Sequence, residues 1–158
     1  MSAPADVAIR SATVEDAQRI HELHTAAVRL LCAPHYAPEI VEGWLAHRSA
    51  QAYLRGIASG AMFVAVAGSR TAGFGEAVRG EVTAVFVDPA FAGRGIGSAL
   101  LGHALRIARA EHRGSVRLES TLNAVGFYER FGFSEVERSF VRRNRVEVPV
   151  VVMERSDG

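Results

Sequence analysis

The sequence predicts a mixed α/β domain built on one mostly antiparallel sheet with a single parallel β-α-β crossover. Three observations carry that expectation. The chain has 158 residues, close to one domain's worth, and 49% of them are hydrophobic, enough for one core. The apolar period changes from three-to-four residues in the first third to two residues in the middle. A β-rich run, a glycine-rich loop, a long amphipathic stretch and another β-rich run then follow in that order over residues 81–120.

Taken in order, VAIRSA (7–12) reads as an opening strand. Thr13 followed by Asp16 is a variant of the capping box, so a helix begins there. Ala17, Ile20, Leu23, Ala27, Leu30 and Leu31 make its apolar stripe, and Pro34 and Pro38 stop it. A second helical stretch is expected over 38–60, with a break near Ser49 and its end at Gly60. MFVAVAG, TAGFGEAV and EVTAVFV are three β runs separated by Gly68 and Ser69, then by Arg79 and Gly80, as in an antiparallel meander. Asp88 and Pro89 close the third run, since proline has no N–H for a ladder. The longest helix is expected over 96–112, with Leu100, Leu101, Ala104, Leu105 and Ala108 on its buried face and Gly114 as terminator. VRLEST, a short helix over 123–131, FSEVERSFV and VEVPVVVMER complete the order βααβββαβαββ.

Composition excludes several classes. Eighteen basic residues, all arginine, oppose 17 acidic ones, so the net charge of +1 offers no long-range field for nucleic acid or an anionic membrane. The single cysteine, Cys32, permits no internal disulfide and fits a reducing compartment, so the cytoplasm is the expected location. No apolar run has the length of a leader or a spanning helix, and the six histidines show no metal spacing, so neither a membrane nor a metal is expected.

The loop Ala92, Gly93, Arg94, Gly95, Ile96, Gly97, Ser98 lets a ligand approach bare backbone, and the following helix adds its free N–H groups and dipole. Such a turn suits phosphate. A P-loop is excluded because the chain contains no lysine, and the dinucleotide fingerprint fails because its third glycine would fall one residue after Gly97.

Together with its preceding strand, VTAVFVDPAFAGRGIGSALL resembles the acyl-CoA signature of the GNAT superfamily of N-acetyltransferases: Arg or Gln, two residues, Gly, any residue, then Gly or Ala. Gly95 and Gly97 match, whereas Ala92 stands where the family has Arg or Gln. STLNAVGFYERFGF, about 30 residues on, is similar to the family's later motif, a short helix carrying Phe-Tyr before a Gly-Phe strand start. The resemblance spans nearly the whole chain, so residues 1–158 are read as one such domain.

It implies acetyl-CoA as co-substrate, held by Gly93, Arg94, Gly95, Ile96, Gly97 and Ser98, with pantetheine pairing like an added strand to Val85 and Val87. It places an oxyanion-binding N–H near Phe86 or Val87, where family members carry a bulge. Asn123 is assigned either to pantetheine or to an N-cap. The reaction needs a base, because an alkylamine with pKa about 10.4 is neutral in only about one molecule in 2,500 at pH 7. Glu81 matches the carboxylate that serves in some members, with usefulness to be gained by burial, and Glu119 is its competitor. Tyr128 matches the tyrosine near the thioester sulfur. Arg29, His35, Tyr36 and Trp44 are candidates for the acceptor wall, and the arginines at 138, 142, 143 and 145 read as a solvated turn. The expected activity is direct acetyl transfer to the primary amine of a small molecule; a protein N-terminus or lysine as acceptor, and a non-catalytic CoA-sensing module, stay open. A homodimer is a further expectation from the resemblance.

Overall fold

The computed structural model describes residues 6–156. Seven strands form one sheet in the order β1-β2-β3-β4-β5-β7-β6. They are β1 (Val7–Ser11), β2 (Met62–Ala67), β3 (Arg70–Val78), β4 (Glu81–Val87), β5 (Val116–Ser120), β6 (Ser134–Arg143) and β7 (Val146–Arg155). The β2-β3-β4 meander and the crossover from β4 through α4 (Ile96–Arg109) to β5 are as expected, and β4 with β5 is the parallel pair. No helix among the described residues is long and apolar enough to cross a membrane.

On one face lies α4, whose Leu100, Leu101, Ala104 and Ala108 are fully buried. It ends at Arg109, three residues short of the expected 112, because Ala110 leaves the helical region and Glu111 takes φ 55°. Gly73 on β3 lets the helix come this close: a Cβ there would lie 2.8 Å from the Phe86 carbonyl oxygen and 2.9 Å from Leu100.

The other face carries α1 (Ala17–Ala27), which starts on the anticipated acid: the Thr13 N–H donates to the Asp16 carboxylate at 2.8 Å, and Arg10 grips the same carboxylate at 2.8 and 2.9 Å. Ile20 and Leu23 are fully buried, and the helix loosens into a π turn, Val28–Cys32. The second helical stretch is two pieces, α2 (Pro38–Leu45) and α3 (Leu54–Ala58), the latter preceded by a 3-10 turn over Ala50–Tyr53. The break begins at Ala46, and His47 takes φ 58°, which no helix allows. A short helix, α5 (Val125–Glu129), links β5 to the last hairpin.

Strands β4 and β5 pair only through Glu81 with Arg117 and Val82 with Leu118, then part. The register between β3 and β4 slips by one at this point, leaving Thr83 as the extra residue of a bulge on β4. A bulge bends its strand and increases the local twist, which accounts for the separation from β5. It sits at Thr83, not near Phe86 or Val87 as expected: from Gly73 with Val87 to Glu76 with Ala84 the ladder keeps one register and leaves no extra residue there.

Candidate active site

The gap opened between β4 and β5 is where the chemistry-bearing residues gather. One cavity, of about 360 Å³, runs from the gap to the glycine turn and is lined by Val85, Val87, Gly93, Gly95, Gly97 and Asn123, among others. A second, of about 420 Å³, lies on the other side and is lined by His24, Trp44, Arg48, Glu81, Glu119 and Arg143, among others. Val85, Phe86, Thr121 and Tyr128 border both.

The glycine turn is built by local demands. The Asp88 carboxylate accepts from the Ala90 N–H at 3.0 Å and starts a 3-10 turn over Pro89–Phe91. Arg19 reaches from α1 to pair with Asp88 and donates to the Thr71 carbonyl, tying the helix to the head of the turn. Burial pushes the Asp88 carboxyl up, yet the Ala90 amide and Arg19 together hold it below the usual carboxylate range. Gly93 and Gly95 have φ 79° and 77°, left-handed conformations that glycine adopts without strain, so no Cβ at 93, 95 or 97 stands between the cavity and the amides that open α4. Arg94 is different: it is exposed, stacks over Phe91 at 5.2 Å and is not among the residues lining the cavity.

The exposed edge of β4 follows from alternation. The Asp88 N–H donates to the Ala72 carbonyl at 2.8 Å, which makes 72 and 88 a hydrogen-bonded pair. In an antiparallel ladder such pairs alternate, so Phe86 turns its peptide groups to β3, and Val85 and Val87 turn theirs into the gap. Of the two positions expected to offer an N–H, Val87 therefore has one free and Phe86 has spent its own on the sheet. Asn123 lies within a 3-10 turn, Leu122–Ala124, whose N-cap is Thr121, so it caps nothing. Its Oδ1 is buried without a hydrogen-bond partner.

Tyr128 is buried beside Phe127 and Phe133, and burial raises its phenol well above the ordinary value. Glu81 is not buried as anticipated: its side chain keeps 33% of its surface and pairs with Arg117 at 3.2 Å. Arg117 also reaches Glu119, at 3.4 Å, so one guanidinium fixes both carboxylates across the parallel pair.

The expected acceptor wall is only partly assembled. Trp44 is buried and lines the larger cavity. Tyr36 is a brace in the core, its hydroxyl donating to the Pro149 carbonyl at 2.8 Å and accepting from the Leu122 N–H at 3.0 Å. Arg29 is exposed and paired with Glu42 at 2.9 Å, and His35 is exposed; neither lines the cavity, because the π turn and the 3-10 turn after it carry them to the surface. Arg143, expected in a solvated turn, lines the cavity instead. His24, Arg48 and Tyr53 were missed. For His24 a signal existed: it lies four residues after Ile20, on the buried phase of α1. Among the described residues no group of three or more His, Cys, Asp or Glu side chains could hold a metal.

A sheet splayed between two parallel strands, with a glycine turn opening a helix beside the gap, defines the acyl-CoA-dependent N-acetyltransferases. The chain belongs to the GNAT acetyltransferases: residues 32–154 match the family model described as an acetyltransferase (GNAT) domain. It is 25% identical over 136 residues to the uncharacterised N-acetyltransferase YafP of Escherichia coli, covering 86% of this chain and 87% of that one. In structure it is similar to a GCN5-related N-acetyltransferase from Rhodopseudomonas palustris, with TM-score 0.81, 24% identity and coverage of 99% and 97% of the two chains. It is also similar to the PaiA N-acetyltransferase of Thermoplasma acidophilum in complex with coenzyme A, with TM-score 0.75, 22% identity and coverage of 95% and 98%.

Proposed function

We propose that this chain transfers an acetyl group from acetyl-CoA to the primary amine of a small molecule, with both substrates bound at once. The observation that carries this reading is the pair of cavities meeting at Tyr128 through the gap between β4 and β5. One side suits the co-substrate: bare amides at the start of α4 for the diphosphate, outward peptide groups of Val85 and Val87 for pantetheine, and the unpartnered Asn123 Oδ1 for an amide N–H. The Ala92 departure from the family pattern removes a side chain but leaves these amides in place. A relative of the same fold is recorded with coenzyme A bound.

Acetyl-CoA brings the activated thioester; the protein's part is to orient and to move protons. An amine in the larger cavity meets carboxylates on the strands. Glu81 takes the amine proton, directly or through one water, by its position beside the gap and not through the burial anticipated for it, with Arg117 fixing the orientation of its carboxylate. The Val87 N–H is placed to stabilise negative charge on the acetyl oxygen. Tyr128 borders both cavities and is the group placed to return a proton to the departing thiolate, although a phenol raised by burial is a weak acid for that task.

A thiol-release screen against amines, amino acids, polyamines, aminoglycosides and peptides tests the reading. Glu81→Gln is expected to lower kcat/KM by roughly 100-fold, and Glu119→Gln by clearly less. Equal rates for wild type and Glu81→Gln discard the assigned base, and a larger loss in Glu119→Gln moves the role to that residue. Tyr128→Phe is expected to slow turnover about tenfold without abolishing it. Unchanged turnover in that variant removes the proton-donor role. Peptides outcompeting every small amine would reassign the acceptor to protein, and CoA binding without acceptor-dependent thiol release would mark a sensing module.

A further inference from the structure

The larger cavity holds a cationic arrangement that proton transfer does not use. Arg48, in the link after α2, donates through one terminal nitrogen to the Tyr53 hydroxyl at 2.7 Å and to His24 Nδ1 at 2.9 Å. The Tyr53 hydroxyl also lies 2.8 Å from that Nδ1. A guanidinium has no acceptor, so Nδ1 is the acceptor, and a neutral His24 carries its proton on Nε2. Burial, reinforced by the charges of Arg48 and Arg143 and by His21, holds His24 well below the ordinary histidine value. Its Nε2 is buried with no partner, which costs free energy that a leucine on the same stripe of α1 would not. What the histidine provides in return is the Nδ1 that holds Arg48.

Arg143 comes to the same cavity from the end of β6. The residue is exposed overall, with its charged end partly withdrawn from solvent. That partial burial holds it below its ordinary value against the pull of Glu119, to which Arg48 is a smaller opposing charge. Among the described residues no carboxylate lies within ion-pair distance of Arg48 or Arg143. Two arginines line one cavity with no carboxylate among the described residues within ion-pair distance, and one of them is held in place by a buried histidine, so guanidinium donors stand available to an anion. The strands meanwhile contribute Glu76, Glu81 and Glu119 to the cavity, which suit an ammonium.

We propose that Arg48 and Arg143 form a carboxylate subsite, with His24 and Tyr53 as positioning residues for Arg48, so that the acceptor is an amine that also bears a carboxylate, as amino acids do. The planar guanidinium fork matches a carboxylate with two parallel hydrogen bonds. This inference rests on the transferase reading above and deepens it.

The test is thiol-release kinetics on matched sets: amino acids, their decarboxylated amines and their amides. Wild type is expected to favour the carboxylate-bearing member by roughly tenfold or more in kcat/KM. Arg48→Gln and Arg143→Gln are expected to raise the acceptor KM and erase that preference while the KM for acetyl-CoA stays unchanged. His24→Asn, which keeps an acceptor at the Nδ1 position, is expected to retain the preference, and His24→Leu to lose it mainly through KM. Calorimetric binding of coenzyme A shows that each variant is folded. Turnover of decarboxylated amines as fast as of the acids, or an unchanged ratio in both arginine variants, overturns the subsite and leaves the transferase reading standing. Equal losses in the two His24 variants overturn the positioning role. No acceptor-dependent thiol release from any member overturns the subsite, and the same silence across the wider amine screen overturns the transferase reading as well.

Discussion

Replacing Gly97 by glutamate is expected to weaken coenzyme A binding by about 100-fold or more, equivalent to about 2.7 kcal/mol, without lowering the melting temperature. Gly97 is in the first turn of α4 and has no left-handed backbone, so any residue fits its conformation. A Cβ there would sit 3.5 Å from the Phe127 ring and 3.6 Å from Val87, ordinary contacts that point it into the smaller cavity. Glutamate favours a helix N-terminus by about 0.3 to 1 kcal/mol and removes the entropic penalty of glycine, so the fold gains. The ligand loses twice: the side chain fills the cleft, and its charge opposes the diphosphate where bare amides should grip it. Gly97→Ala, which adds only the Cβ, is expected to leave affinity within a few-fold. Titration calorimetry with coenzyme A and a thermal melt check both statements. Unchanged affinity in Gly97→Glu would show that the diphosphate lies elsewhere.

Gly73→Val is expected to produce the largest loss of stability, roughly 3 kcal/mol or more, read as a fall of about 6 to 12 °C in melting temperature for a chain of this size. The offending contact is with backbone: the new Cβ meets the Phe86 carbonyl oxygen at 2.8 Å, and Leu100 and Ile96 close the other side at 2.9 and 3.4 Å. No rotamer relieves a clash with a strand backbone, so β3 must move from β4 or α4 must lift from the sheet. Either movement disturbs the turn that opens α4 and the outward peptides of β4, so affinity for coenzyme A is expected to fall with stability. Gly126→Ala is the matched control, because nothing lies within 4 Å of its added Cβ and its backbone is helical. That variant is expected to be neutral or more stable by about 0.5 to 1 kcal/mol. A Gly73→Val protein that melts with the wild type would mean that α4 and β3 pack less closely than described.

Much of the frame was legible in the residues. The stripe through Ile20 and Leu23, the alternation of the three central runs and the proline after Asp88 each fix a local conformation, and the elements formed where those signals lay. The glycine turn was legible for the same reason, since positive φ at Gly93 and Gly95 is a local requirement that glycine meets. Boundaries were less so. His47 breaks the second helical stretch with a left-handed φ that its side chain does not advertise, and the α1 stripe gives no warning of the π turn that carries Arg29 to the surface.

By itself, then, the sequence determined the kinds of element, their order, the parallel crossover and the bare turn that opens α4, all properties of neighbours in the chain. Only the tertiary structure decided where the charges meet. The bulge at Thr83 parts β4 from β5, and residues as distant as His24, Arg48, Tyr53 and Arg143 come to line one cavity. The physical reason is that a titratable side chain takes its character from desolvation and from charges within a few ångströms, and those are supplied by whichever elements pack around it, not by its neighbours in sequence. Glu81 shows this directly: its strand position was readable, but the partner that orients it, Arg117, comes from 36 residues further along the chain.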